Sequence, residues 1–448
     1  MYIQWIPEMK PDQIRLPGHC DASIVSATLL RFGQWRRQMR VTRCDRLPQG
    51  TIGLSAQLKK DVTIPDSLPY EMYADGTNLH LGPVIALLVA EQGLTPKTLH
   101  EYRGYLADYE AIKGLIYLCS LNGINPGQKT IEGYCYNPKA GGEGAPWRKG
   151  IFPYPDVVYR RIRVSRSKRY DDLLAHTGGK IFNAYYLNKW ELWDSIRSHP
   201  PIGGHLPHTR LLDHPRSLKE MLASYGSVYL KPATGSMGKG IVKLDKSSDG
   251  YLFWNRHKAK TFASSENKAW AWIRRIRKGK KYLIQQSVAM TYQNKHVDFR
   301  VILQKNGGGQ WICSGIIARY GLDGRFYTND ISSISPGRDA LRTVFRLTEE
   351  EVIRKEAEMI SICTTACQFI EQKYGPFGDV GLDVSVDENL KVWLLEINSC
   401  HQHTIPYYLN DLDMYRKVIT LPLEYAKSWA GFTEENIARL RLIDAGPG

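Results

Sequence analysis

Along the first 90 residues, apolar and polar positions alternate in short stretches cut by Pro and Gly, the pattern of short strands. Leu47-Pro48-Gln49-Gly50 and Asp75-Gly76 read as turns. The stretch Leu81–Val89 reads as the end of that region, a buried strand or the start of a helix. Helical spacing is read over Leu99–Asn122, a strand over Thr130–Tyr136, a Gly-rich loop over Asn137–Lys149, a strand over Pro155–Arg161 and a helix over Asn188–Ser198. Strand and helix taking turns predicts a small α/β domain.

The order then changes. A helix (Arg216–Tyr225) precedes strands at Val228–Lys231, Gly240–Leu244 and Tyr251–Asn255, a helix at Glu266–Arg277 and a strand at Tyr282–Gln286. Further strands are read at Phe299–Gln304, Trp311–Arg319, Val380–Val386 and Lys391–Asn398, with helices between Glu349 and Lys373 and over Met414–Trp429. The class is α+β. Four domains are expected: a β-rich one at 1–97, an α/β one at 98–205, and two α+β subdomains at 206–288 and 289–448. No internal repeat or low-complexity segment interrupts them.

Composition narrows the class. Apolar residues make up 43% and charged residues 23% of 448 positions, which is ordinary for a globular chain. No stretch reaches the roughly 18 apolar residues of a membrane span, and the N-terminus has no secretory pattern. Eight scattered cysteines do not form a disulfide framework and fit a reducing compartment. A cytoplasmic protein is expected. Cys363 and Cys367 read as small residues on one helix face. The net charge of +15 suits polyanions in general. Its densest run, Arg160–Arg169, reads as a solvated face, which makes nucleic acid an unfavoured partner.

Two segments carry chemistry. In Val228–Ile241, a strand ending in Lys231 runs into a glycine loop that holds Gly235, Ser236, Gly238, Lys239 and Gly240. Glycines let backbone N–H groups turn toward phosphate oxygens, and lysines add point charge. A Walker A loop would need Gly at 233 and Ser or Thr at 240, where Ala233 and Gly240 stand. The dinucleotide pattern is absent too, so a strand–loop–strand hairpin over phosphates fits.

The second segment is Gly381–Val386, a turn at Asp387-Glu388-Asn389, and Lys391–Asn398. Glu396 and Asn398 share a strand face. With Glu388-Asn389 as the turn, Asp383 lies opposite Leu394 and shares that face. Two carboxylates and an amide oxygen between apolar flanks suit Mg²⁺. Arg300 and Arg319, each on a strand, suit bidentate recognition of phosphate or carboxylate. Cys400, His401 and His403 read as loop residues lining an acceptor pocket, in preference to a zinc or catalytic group.

This order of motifs resembles the ATP-grasp superfamily and, within it, the endospore coat-associated YheC/YheD-type proteins. The segments that carry the resemblance are Leu81-Gly82-Pro83-Val84, Ile181-Phe182-Asn183 with Lys189-Trp190, Tyr229–Pro232 with Gly235–Gly240, and Glu396-Ile397-Asn398-Ser399. The resemblance implies an ATP-grasp fold, two α+β subdomains clasping ATP, behind a pre-grasp domain and an N-terminal β-rich domain. It also implies ATP and Mg²⁺ as cofactors. Lys189 and Lys231 would contact phosphates. Gln285, Gln286 and Val288 would lie on a hinge strand whose backbone reads adenine. Asp383, Glu396 and Asn398 would bind Mg²⁺. Arg300, Arg319 and Asn329 would serve the reacting groups. Asp330 follows Asn329 where relatives often carry paired glycines, and Gln285-Gln286 stands where many carry an acid.

The activity implied is ligation: ATP phosphorylates a carboxylate, and an amine or thiol attacks the acyl phosphate. The substrates implied are an unidentified carboxylate and an unidentified amine or thiol, with spore-coat proteins as partners and no membrane. A nucleotide-binding coat component with little turnover is the alternative, favoured by the altered Asn329 loop and the basic surface.

Overall fold

The computed structural model describes residues 1–18, 27–142, 145–164, 167–235, 238–255, 260–288, 290–324 and 331–441. Ser236 and Asn329 lie outside the described residues. The chain divides into two units, one of residues 1–184, 305–311 and 416 onward, the other of 185–304 and 312–415.

The first unit holds two sheets. A seven-stranded mixed sheet runs in the order Tyr2–Ile6, Thr51–Ser55, Gln13–Leu16, Trp35–Arg43, Ala27–Phe32, Asn78–Gly82, Glu71–Asp75. A six-stranded sheet is built on Val84–Ala90, which pairs in parallel with Leu115–Asn125 and Val157–Arg160. Six of the seven residues of Val84–Ala90 are buried, as a central parallel strand covered on both faces requires. This decides the Leu81–Val89 stretch as strand from Val84 on, while Leu81 and Gly82 end the strand Asn78–Gly82 of the other sheet.

Leu99–Asn122 is not one helix. A helix capped by Thr95 covers Pro96–Arg103, a single turn covers Tyr109–Ile112, and Leu115–Asn125 is a strand. Lys113 and Gly114 break the chain between them with positive φ. A Cβ at Gly114 would lie 2.1 Å from the Pro83 carbonyl oxygen, so only glycine permits that approach. The stretch Leu115–Leu121 is buried at every position and is fixed as a central strand by its pairing with Val84–Ala90 on one side and Thr130–Tyr136 on the other. The predicted loop Asn137–Lys149 likewise ends early, because Trp147–Pro153 pairs with Thr130–Tyr136.

The basic run is not a solvated face throughout. Arg160 is buried: its Nε donates to the Ile162 carbonyl at 2.9 Å and its Nη1 to the Ala184 carbonyl. Arg169 donates to the Asn122 carbonyl and side chain. The Arg160 guanidinium thus satisfies part-buried backbone carbonyls, whereas the Arg169 bonds lie at the surface.

The second unit also holds two sheets. One is antiparallel, in the order Thr209–Leu211, Tyr282–Gln286, Ser227–Pro232, Val242–Ser247, Gly250–Trp254, Lys260–Ala263. Helices Pro215–Tyr225 and Glu266–Arg277 send Leu218, Leu222, Ala269 and Ile273 into a core with Val228, Leu230 and Phe253. The other runs Ile331–Pro336, Trp311–Gly321, Lys295–Lys305, Asp379–Val386, Val392–Asn398, with Met290–Tyr292 beside Lys295–Lys305. The long helix Glu349–Tyr374 starts in a capping box of Thr348 and Glu351. It buries Met359, Cys363, Ala366, Cys367 and Ile370 at helical spacing. Cys363 and Cys367 are therefore core residues, and burial pushes the Cys363 thiol well up from its ordinary pKa.

Candidate functional site

The site is assembled in the second unit from positions on several strands and one helix start. Asp379–Val386 and Val392–Asn398 form a hairpin whose turn is longer than Glu388-Asn389 alone. Val386 pairs with Val392, and the Asp387 backbone N–H donates to the Lys391 carbonyl. Asp387 organises the turn through its side chain, accepting from the backbone of Asn389 and Lys391 and from Trp393 Nε1. This register opposes Leu394 to Val384, so Asp383 does not face Leu394 as the two-residue turn predicts. A bulge at Leu395 then adds one more residue and sets Glu396 directly opposite Asp383, and Asn398 opposite Gly381. The longer turn and the bulge each shift the register by one residue in the same direction; the sum is two residues, one full pleat period, so all three predicted ligands return to one face.

On the other side of Asp379–Val386, Arg300 is the cross-strand partner of Asp383. Arg300 Nε donates to Asp383 Oδ1 at 2.7 Å, and Arg319 Nη2 reaches the same oxygen at 3.1 Å. Arg319 Nε also donates to Asp298 Oδ1 at 2.7 Å. Burial alone would raise the Asp383 pKa, but the two guanidinium groups outweigh it and hold the carboxyl at about 2. Burial works against the Arg319 charge as well, and Asp298 and Asp383 overturn it. Asn398 Nδ2 reaches Asp383 Oδ2 at 3.5 Å.

Lys189 opens the helix Lys189–Ile196, whose start is fixed by an Asn188–Glu191 capping box. Its backbone N–H donates to the Ala233 carbonyl, and its Nζ donates to Glu396 Oε1 at 3.0 Å and the Gly235 carbonyl at 3.1 Å. Helix, glycine loop and hairpin therefore meet at one lysine. Lys231 Nζ donates to Gln285 Oε1, and Gln285 Nε2 donates on to Thr209 Oγ1 at 2.9 Å. Burial first, and Lys189 second, lower the Lys231 pKa to about 8, against the opposing pull of Glu396 and Asp383. A buried ammonium held by a neutral amide is short of anionic charge.

The remaining predicted residues fall as follows. Gly235, Gly238 and Gly240 all have positive φ, and Lys239 is exposed. A Cβ at Gly240 would lie 2.9 Å from the Tyr282 hydroxyl, which donates to the Gly240 carbonyl. The Gln286 backbone N–H donates to the His208 carbonyl, and its side chain accepts from His208 N–H. The Val288 carbonyl accepts from Ser385 Oγ at 3.1 Å. Arg300 and Arg319 bind carboxylates of the chain itself, in buried ion pairs.

Asp298 was also missed, although its two-residue spacing from Arg300 places both on one strand face. Asp379 was missed too, and His401 and His403 do not line an open pocket. All three are buried together, with His401 Nε2 2.9 Å and His403 Nε2 3.0 Å from Asp379 oxygens.

Carboxylate and amide oxygens of Asp383, Glu396 and Asn398 are hard donors on one sheet face, so the residues present fit Mg²⁺. Four cationic side chains, Lys189, Lys231, Arg300 and Arg319, stand among three carboxylates, Asp298, Asp383 and Glu396. That balance suits an added polyanion.

The sequence matches the family described as YheC/D like ATP-grasp over residues 178–428, more than half of the chain. The chain belongs to this family. Its fold is accordingly the α+β ATP-grasp fold, as the resemblance implied. Among curated proteins it is similar to endospore coat-associated protein YheD of Bacillus subtilis (strain 168), with 26% identity over 388 residues, 80% of this chain and 82% of the relative. It is also similar to endospore coat-associated protein YheC of the same organism, with 26% identity over 293 residues, 62% of this chain and 77% of the relative. Among solved structures, D-alanyl-alanine synthetase A from Vibrio cholerae aligns with 79% of this chain and 98% of its own at 13% identity and a TM-score of 0.44. No helix among the described residues of this YheC/D-like protein is long and apolar enough to cross a membrane.

Proposed function

We propose that this protein binds Mg-ATP at the cluster of Lys189, Lys231, Asp383 and Glu396 and joins a carboxylate to an amine or thiol through an acyl phosphate, in association with the endospore coat. The observation that carries the reading is the convergence of two lysines, two guanidinium groups and a cross-strand carboxylate pair on one sheet face of an ATP-grasp chain. The names of the two Bacillus subtilis relatives support the coat setting.

Bound with magnesium, ATP supplies the phosphoryl group that activates the carboxylate. The chain's own work is positioning and neutralising charge. Lys189 and Lys231 neutralise phosphate oxygens, and Lys231 gains the anionic partner it lacks beside Gln285. Asp383, Glu396 and Asn398 would hold the metal. Arg300 and Arg319 keep Asp383 ionised and present a cationic edge to the reacting groups. The Gly235–Gly240 loop can approach phosphates closely because its glycines carry positive φ without strain.

ADP release tests this. The protein is incubated with Mg-ATP and pools of carboxylates and amines, with hydroxylamine to trap acyl phosphate. ADP and a hydroxamate that depend on one carboxylate pool are expected. Binding of Mg-ATP without ADP over every pool would instead support the reading as a nucleotide-binding coat component. The ion pairs that already neutralise Asp383 and Glu396 favour that second reading.

A further inference from the structure

One buried cluster takes no part in the proposed reaction. Asp379 opens the strand Asp379–Val386, and His401 and His403 follow the strand Val392–Asn398. Among the described residues, these three form the one group of His, Cys, Asp or Glu side chains whose ligand atoms could all reach a single ion. The side chains are 0–1% exposed. We infer that Asp379, His401 and His403 form a divalent transition-metal site, with zinc as the ion that fits, which fastens the 399–404 segment to the sheet.

The distances support an ion. His401 Nε2 and His403 Nε2 are 3.2 Å apart, and they lie 2.9 Å and 3.0 Å from Asp379 oxygens. Metal–ligand bonds of roughly 2.0–2.1 Å give a tetrahedron with edges of about 3.3 Å. The triangle of donor atoms is close to one face of that tetrahedron. Hydrogen bonding alone explains it less well. Both imidazoles would have to present Nε2–H to the one Asp379 carboxylate, with the two N–H groups crowded to 3.2 Å. A metal takes a lone pair from each instead. Two imidazoles and one carboxylate are the donors of a borderline ion such as Zn²⁺, not of Mg²⁺ or Ca²⁺.

The surroundings are those of a built site. Gln304 Nε2 donates to Asp379 Oδ1 at 2.8 Å, and Gln304 Oε1 accepts from Ser314 Oγ at 2.6 Å. Hydrogen bonds of this kind orient a ligating carboxylate and are part of a metal site's design. Gly381 leaves the space: a Cβ there would lie 2.8 Å from His401 Cβ and 3.0 Å from Arg300 Cδ. His401 and Arg300, the arginine that grips Asp383, therefore pack on either side of one glycine. The inference stands whether or not ATP binds.

Metal analysis of untagged protein tests it, with no nucleotide present. We expect about one zinc per chain by mass spectrometry. Asp379→Asn and His403→Gln should lose that zinc, and Glu396→Gln should keep it. Should the two variants fail to fold, metal-stripped wild type is titrated with Co²⁺. Visible bands of tetrahedral cobalt with nitrogen and oxygen ligands are expected, together with a thermal midpoint that falls on stripping and returns with Zn²⁺ but not with Mg²⁺. Folded wild type that takes up neither ion would overturn the inference. So would a thiolate-to-cobalt charge-transfer band, which would put the ion on cysteines, or zinc retained by folded Asp379→Asn.

Discussion

At the scale of single residues, Lys231 is the most informative. Its pKa of about 8 in the fold lies below the ordinary lysine value, so the unfolded chain binds the extra proton more readily. Stability of the nucleotide-free protein should therefore rise as pH increases from about 8 toward 10.4. Below that window the buried charge costs stability. Chemical denaturation of wild type against Lys231→Met across this range should show the rise in wild type alone. Nucleotide affinity should move the other way, weakening above pH 8 as the ammonium loses its proton, and Lys231→Met should remove that dependence. A parallel pH profile for the two proteins would assign the titration elsewhere.

The elements depend on backbone devices that side-chain pattern does not display. The bulge at Leu395 is the clearest. Inserting one alanine between Leu395 and Glu396 would leave the apolar residues of the strand in place and carry Glu396 and Asn398 one position on, to the opposite face. The variant should lose Mg-ATP binding far more than a Leu395→Ala variant, as read by calorimetry; equal affinities would show that the register is immaterial. Gly381→Ala makes a second test. Its Cβ would press on His401 and Arg300, an overpacking that typically costs about 1–3 kcal/mol. Urea denaturation should show the loss, and an unchanged midpoint would contradict the close packing.

These devices also mark how far the sequence can be read. The family, the glycine loop and the strand identities of the 380–398 hairpin are legible because their signals are local and periodic. The pairing register was not. A two-residue turn at Glu388-Asn389 is the simplest reading of Asp387–Asn389, and nothing in the composition reveals that Asp387 spans a longer turn. The Leu99–Asn122 stretch misled because a short apolar run fits a buried strand and a helix equally well, and the stop at Lys113-Gly114 depends on contact with Pro83. Asp379 was overlooked because its partners, His401 and His403, reach it only after the hairpin has folded back. Arg300 and Arg319 were read as ligand contacts because their acidic partners lie on neighbouring strands.

For the whole molecule, the net charge of +15 does not mean that every cation faces solvent: Arg160 and Arg169 donate to backbone carbonyls, and Arg300 and Arg319 pair with carboxylates. The central claim is that the Lys189–Glu396 and Arg–Asp383 ion pairs hold a site for Mg-ATP. If they do, Mg-ATP at 100 times its Kd should stabilise the folded chain by about 2.7 kcal/mol. That stabilisation should appear as a raised thermal midpoint. The most direct test is calorimetric titration of Mg-ATP into wild type and Glu396→Gln, a substitution that keeps the side-chain volume and removes the charge. The account predicts micromolar binding, about −8 kcal/mol, in wild type and at least tenfold weaker binding in the variant. Equal affinities in the two proteins, or no binding in a folded wild type, would contradict it.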